Sequence, residues 1–251
     1  MSIGEIIVIA VAGTAAGMVN TVVGSGTLIT FPVLLAFGYA PVTANVSNTI
    51  GLVPGSVSGS IGYRRELAGQ REQALRLGVM SVLGGATGAV LLLVLPASAF
   101  KAVVPVFIAI ALVLTVLQPR LNRRLTARAE RRPGHGGPLT LVAVYITGVY
   151  GGYFGAGQGI LLLAIFGVML AQSLNRSNAL KNVLAGTVNA VAGVYFIFAA
   201  HVVWGPVAII AATSVIGGQI GSRYGRRLHP DALRALIVLV GVAAIVDLLV
   251  S

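Results

Sequence analysis

The chain has 251 residues, of which 57% are hydrophobic and 9% charged, with a mean hydropathy of +0.95 and a formal net charge of +11. A soluble domain carries about 25% charged residues, so a soluble globular enzyme is excluded, as is disorder, which needs a low apolar content. The absence of cysteine removes disulfide frameworks, thiolate metal sites and cysteine nucleophiles.

The first five residues, Met-Ser-Ile-Gly-Glu, lack the basic region of a secretory signal. The first apolar segment is therefore expected to stay as a membrane helix. Apolar segments follow at 3–23, 27–38, 43–62, 77–96 and 102–117, then at 139–154, 158–171, 178–200, 206–222 and 234–250. A basic stretch, 118–138, separates the two sets. About 20 helical residues cross a bilayer, so the expected fold is all-α, a polytopic transmembrane bundle of 8–10 spans. The expected organisation is a first repeat over 1–117, a basic cytoplasmic linker over 118–138 and a second repeat over 139–251. Segment 27–38 would make only about 18 Å of helix, against a hydrocarbon core of about 30 Å. It and 158–171 read as re-entrant or half-helices.

Of the 17 Lys and Arg, 14 lie in three stretches, Arg64 to Arg76, Arg120 to Arg132 and Arg223 to Arg234. Between apolar segments this is the positive-inside pattern of cytoplasmic loops. None of the stretches interleaves aromatics as a single-strand binder would. The bilayer is the expected partner, and nucleic acid is not.

The two sets resemble each other. At an offset of 131, Gly17, Gly24, Gly26 and Ile29 meet Gly148, Gly155, Gly157 and Ile160. At 134, Asn48 and Gly59 meet Asn182 and Gly193; at 133, Gly84, Gly85 and Gly88 meet Gly217, Gly218 and Gly221. The basic loop 64–76 corresponds to residues 201–205, which carry no Lys or Arg, and the basic stretch 223–234 corresponds to 90–101, where only Lys101 is charged. Equivalent loops with opposite charge bias lie on opposite faces, which predicts an inverted repeat with both termini outside, the plan of many secondary transporters.

Two glycine turns interrupt apolar runs: Asn20 to Thr27, with Gly24, Ser25 and Gly26, and Gly151 to Gly159, with Gly155, Gly157 and Gln158. Each precedes a segment whose helical N-terminus would offer free N–H groups and a favourable dipole to an anion. Ser25, Thr27 and Gln158 add donors. The alternative is close helix packing through small residues. In 178–200, Asn178, Lys181, Asn182, Gly186, Asn189 and Gly193 share one arc, which is costly against lipid and should face protein or a cavity. Asn45, Ser47, Asn48 and Thr49 play that part in the first set, ahead of Gly51, Gly55 and Gly59. Interhelical hydrogen bonding alone would also account for both faces. Lys181 is expected in the first turn of its helix, where a cation opposes the dipole; a bound anion or snorkelling to the surface beside Arg176 would relieve it. Only Glu5 and Asp247 belong to apolar segments, both near their outer ends. With no acid near the middle, cation transport is disfavoured. His135, His201 and His229 are isolated and make no metal-ligand spacing. No catalytic set, cofactor or metal site is expected.

Residues Gly17 to Pro32 with Ala44-Asn-Val-Ser-Asn-Thr49, and then Gly148 to Gly159 with Asn178 to Asn182, resemble the sulfite exporter TauE/SafE family. The resemblance covers essentially the whole chain. It implies a secondary transporter of the bacterial inner membrane that moves a small sulfur-containing or organic anion, such as sulfite, sulfoacetate or thiosulfate, in the direction of export. Uptake and a non-transporting assembly subunit are the alternatives. One departure is Leu163, where the first set has Pro32; the second turn is expected to be shaped differently. The expected substrate-binding residues are Asn20, Gly24, Ser25, Gly26, Thr27, Asn48, Gly155, Gly157, Gln158, Lys181 and Asn182. Protons stay open as a coupling ion, and so does the oligomeric state.

Overall fold

A computed structural model describes residues 1–129, 137–170, 172–225, 235, 237–243 and 245–246, with the side chains of 120–129 left out. Among the described residues the chain forms helices and no strand: α1 (Ile3–Val22), α2 (Thr27–Ala36), α3 (Pro41–Gly62), α4 (Arg71–Val94), α5 (Ala97–Ala129), α6 (Pro138–Tyr153), α7 (Gln158–Met169), α8 (Leu174–Ala199) and α9 (Trp204–Tyr224). Residues 237–243 are helical as well. His135, His229, Glu130, Asp231 and Asp247 lie outside the described residues, as does most of the basic stretch 223–234.

Local chemistry explains the starts. Ser2 caps α1 in a reciprocal pair, Glu5 N to Ser2 Oγ at 3.1 Å and Ser2 N to Glu5 Oε2 at 3.3 Å, which satisfies two otherwise free amides. Pro41 and Pro138 open α3 and α6, where the missing N–H costs nothing. Ser173 caps α8, which starts at Leu174, four residues ahead of the start expected at 178. Helix α4 likewise starts at Arg71 rather than 77. The expected boundary at 117 falls inside a helix, since α5 continues to Ala129.

Among the described residues, five helices are long and apolar enough to cross a membrane: α1, α4, α5 over Ala97–Pro119, α8 and α9. Helix α3 has 22 residues but carries Asn45, Ser47, Asn48, Thr49, Ser56 and Ser58 on its buried side. Helices α2 and α7 have 10 and 12 residues, about 15 and 18 Å of length, and neither crosses a core of about 30 Å. Outward faces carry Ile3, Val11, Val79, Val106, Ile146 and Phe198, all exposed, as a lipid-facing surface requires. Inside, Phe31 meets Phe154 edge-on at 5.1 Å, and Phe100 packs on both rings.

The bundle is closed by backbone approaches at small residues. Helix α1 packs along α9 and α4 along α6, while α3 packs on α9 and α8, and α8 on α4. A Cβ at Gly84 would fall 2.3 Å from Tyr145 O, and one at Gly217 would fall 2.0 Å from Thr14 O. Gly88 abuts Val149 O in the same way, and Gly221 abuts Met18 O. These pairs correspond at the offsets of 133 and 131 seen in the sequence. Helices α3 and α8 run antiparallel: Tyr63, just past the end of α3, meets Asn178 near the start of α8, Ser56 lies against Gly186, and Ile50 against Gly193.

Candidate functional site

Helix α1 stops where Gly24 takes φ +90, a backbone conformation that a side chain would disfavour. Helix α2 then starts at Thr27. Helix α6 stops before Gly155, and Gly157, at φ +75, caps α7. The two turns touch: Gly159 N donates to Gly24 O at 3.0 Å. An added Cβ on either glycine would lie 2.5 Å from the other's Cα. Two interrupted helices thus meet back to back in the interior.

Ser25 and Gln158 flank this contact, each one residue from a touching glycine. They are 0% and 3% exposed. Neither Ser25 Oγ nor Gln158 Nε2 has a hydrogen-bond partner. The rest of the expected set is bonded. Asn48 Nδ2 donates to Thr27 Oγ1 at 3.3 Å, and Asn48 Oδ1 accepts from the Thr30 hydroxyl. Asn20 Nδ2 donates to Ser56 Oγ at 3.3 Å. Asn182 Nδ2 donates to Thr21 O at 3.3 Å. Lys181 Nζ donates to Asn20 O and Thr21 O, both at 3.0 Å. Gly26 packs on Ala16 O, Gly155 on Gly151 O and Gly157 on Ala111. The glycines therefore serve close packing as well as the turns.

Two expectations need correction. Lys181 is the eighth residue of α8, not in its first turn, because the Ser173 cap starts the helix early. It is 0% exposed, so it does not snorkel, and helix carbonyls receive it. The amides at the start of α7 are not free either. Gln158 N donates to Gly155 O at 3.2 Å, Gly159 N to Gly24 O, and Ile160 N and Leu161 N to Gly157 O at 3.0 and 3.3 Å. The left-handed glycines fold their carbonyls back onto the helix start. At the start of α7 the unused donor is a side chain, Gln158 Nε2.

Sequence reasoning missed Thr21, whose carbonyl joins α1 to α8, and Tyr63, whose hydroxyl accepts from Asn178 Nδ2 at 2.9 Å. It placed Asn45 and Asn178 on the polar faces but not in the binding set, and their buried Oδ1 atoms have no partner. A tyrosine at the head of a basic loop was the one legible signal among these.

The family model described as Sulfite exporter TauE/SafE matches residues 9–248. The chain belongs to the TauE/SafE family. It is similar to "Probable membrane transporter protein YfcA" of Escherichia coli strain K12, 26% identical over 90% of this chain and 82% of the relative. "Probable membrane transporter protein ORF9" of a Sinorhizobium species is 28% identical over 95% of this chain and 90% of its own. A "Probable membrane transporter protein" of Haemophilus influenzae is 24% identical, covering 90% and 88%. The chain is a membrane transporter of this family and not an enzyme. Its apolar helices make it a multi-pass protein of the inner membrane, since outer-membrane spans are strands of barrels.

Within this TauE/SafE chain the two turns differ in shape. The first has one left-handed glycine, Gly24, with Gly26 in the right-handed region; the second has two, Gly155 and Gly157. Pro32 lies inside α2, whereas Leu163 continues α7 with its full set of backbone donors.

Proposed function

We propose that the chain carries a small sulfur-containing or organic anion, of the sulfite, sulfoacetate or thiosulfate type, across the inner membrane by export. Two repeats, 1–117 and 139–251, joined by the basic cytoplasmic segment 118–138, form an inverted pair. Support for the inversion comes from α3 and α8, which correspond in sequence and run antiparallel, and from the matching glycine contacts of α4 on α6 and α9 on α1. The anion binds where the two glycine turns meet, near the middle of the bundle, as in carriers with interrupted helices. Movement of one repeat against the other opens the site to each side in turn.

The observation that carries this reading is the pair Ser25 and Gln158, buried donors without partners on the two touching turns. A buried donor left unbonded costs about 1–3 kcal/mol, and an oxyanion that bonds both removes that cost. Thr27 and Asn48 hold the first turn, and Asn20, Asn182 and Lys181 hold the end of α1 beside it. An ammonium has three N–H groups, and two of those on Lys181 are taken by carbonyls. Its charge supplies the positive field that an anion needs in a dry interior. The substrate itself, or a proton carried with it, leaves proton coupling compatible with a membrane interior free of described acids.

Uptake of labelled sulfite and thiosulfate into proteoliposomes, with and without a pH gradient, tests the reading. Saturable transport that falls at least tenfold in Ser25→Ala combined with Gln158→Leu is expected. Folded protein that moves neither anion sinks it. A non-transporting subunit would also pack Gly24 on Gly159, but its turns would stay dry. Single cysteines at 25 and 158, in a chain with no other cysteine, separate the two: a carrier's cysteines react with aqueous thiol reagents during turnover.

A further inference from the structure

We propose that the carboxyl end of α1 is a monovalent-cation site that the chain fills with its own Lys181 ammonium, so that transport proceeds without Na⁺. Only the statement about transport rests on the carrier reading; the cation site rests on geometry alone. Helix α1 ends at Val22, and the last carbonyls of a helix lack intrahelical partners and lie at the negative end of its dipole. The turn at Gly24 satisfies one of them, since Val23 N and Gly24 N both donate to Val19 O. Among the carbonyls that follow, Asn20 O and Thr21 O both receive Lys181 Nζ at 3.0 Å, Thr21 O also accepts from Asn182 Nδ2 at 3.3 Å, and Val23 O accepts from Gln118 Nε2 at 3.4 Å.

Among the described residues, nothing acidic shares this place. The described acids are Glu5, Glu66 and Glu72, in the first turn of α1, the α3–α4 loop and the first turn of α4. Along α1, Glu5 is about 22 Å from Asn20. A buried ammonium without a carboxylate is tolerated only where neutral oxygens replace its water. Such a set of oxygens at the end of an interrupted helix is what carriers of this architecture use to hold Na⁺. It does not distinguish an ammonium from an alkali ion by charge. Here the occupant is tethered. The Lys181 stem runs past the α7 start, where a Cβ at Gly159 would fall 2.9 Å from its Cδ. At the offset of 134 the equivalent of Lys181 is Ser47, whose Oγ accepts from Val203 N at 3.1 Å. The fixed charge is therefore present on one side of the bundle only, next to the contact of the two turns.

The test uses the full chain in detergent. Thermal unfolding of wild type, Lys181→Ala and Lys181→Met is compared in chloride salts of Na⁺, K⁺, methylammonium and N-methylglucamine at equal ionic strength. Alanine opens the space beside the carbonyls, and methionine fills it without charge. Wild type is expected to unfold at one temperature in all four salts. Lys181→Ala is expected to lose roughly 5 °C or more in N-methylglucamine and to regain at least half of that loss, saturably, in Na⁺ or methylammonium. Lys181→Met is expected to stay low in all four. Indifference of Lys181→Ala to the cation overturns the proposal, as does a Lys181→Met protein as stable as wild type. If Lys181→Ala does not fold in any of the four salts, Lys181→Arg against Lys181→Met decides: a stable arginine variant beside an unstable methionine one supports the cation site, and equal behaviour overturns it. In proteoliposomes, replacing Na⁺ by N-methylglucamine is expected to leave wild-type transport unchanged, and Na⁺-dependent transport overturns the statement about coupling. A wild type that moves no sulfur oxyanion refutes the carrier reading, while the unfolding series still reads the cation site.

Discussion

The peptide N–H of Gly159 donates to Gly24 O at 3.0 Å, and a Cβ on either residue would fall 2.5 Å from the other's Cα. This contact joins the turn before α2 to the turn before α7. Alanine at either position forces the turns apart, and overpacking of this kind costs about 1–3 kcal/mol. Gly24→Ala adds the strain of a left-handed alanine, about 1–2 kcal/mol, so it should be the more damaging of the two. Gly38→Ala is the control, because Gly38 has φ +81 but nothing within 4 Å of an added Cβ. Unfolding temperatures in detergent should rank wild type highest, then Gly38→Ala and Gly159→Ala, with Gly24→Ala lowest. Gly24→Ala at the level of Gly38→Ala would mean that the turns do not touch in the folded protein.

Ser25→Ala and Gln158→Leu remove donors that have no partner in the ligand-free fold. Removing an unsatisfied buried polar group is close to neutral or stabilising. Each variant should therefore unfold within about 2 °C of wild type or above it, while anion transport falls. A large loss of stability would show that these donors already have partners in the empty protein.

The apolar segments, the two short helices and both glycine turns were readable because each is a feature of composition along the chain. The early starts of α4 and α8 were not. Arg71-Glu72-Gln73 and Asn175-Arg176 read as loop, yet they form polar first turns of helices that continue into the apolar region. The run of α5 to Ala129 was hidden in the same way behind Arg120, Arg123 and Arg124. At the site, the sequence marked Lys181 and Asn182 as needing partners and could not name them. The partners are main-chain carbonyls of Asn20 and Thr21, which carry no residue-specific signal. Which N–H groups are free at α7 likewise depends on where glycine turns send their carbonyls, and three-dimensional geometry alone decides that.

Asn178 Nδ2 and Tyr63 OH, 2.9 Å apart, tie the start of α8 to the end of α3. Tyr63→Phe leaves the buried amide without this acceptor, at a cost of about 1–3 kcal/mol. Asn178→Leu should cost less than the sum of effects would suggest when combined with Tyr63→Phe, because the double variant leaves neither group waiting for the other. A double-mutant cycle on unfolding free energies should give a coupling of about 0.5–3 kcal/mol. A coupling of zero would mean that the two helices are held by backbone packing alone.

At the opposite end of α3, the Tyr39 hydroxyl donates to Glu5 Oε1 at 2.6 Å, so the loop after α2 is fastened to the first turn of α1. Burial, and then the hydrogen bond and negative charge of Glu5, push the Tyr39 hydroxyl up from its ordinary 10.0 to about 12. A raised value in the folded state means that the fold holds this proton more tightly than the unfolded chain does. The stabilisation is complete below the unfolded value of 10.0 and is lost as the pH rises from there to about 12. Tyr39→Phe removes both the bond and the titration. Wild type should be the more stable of the two at pH 8, and the gap should narrow between pH 10 and pH 12. Unfolding temperatures of the pair measured across that range check the sign. A gap that stays constant would mean that Tyr39 contributes through packing and that Glu5 does not hold its proton.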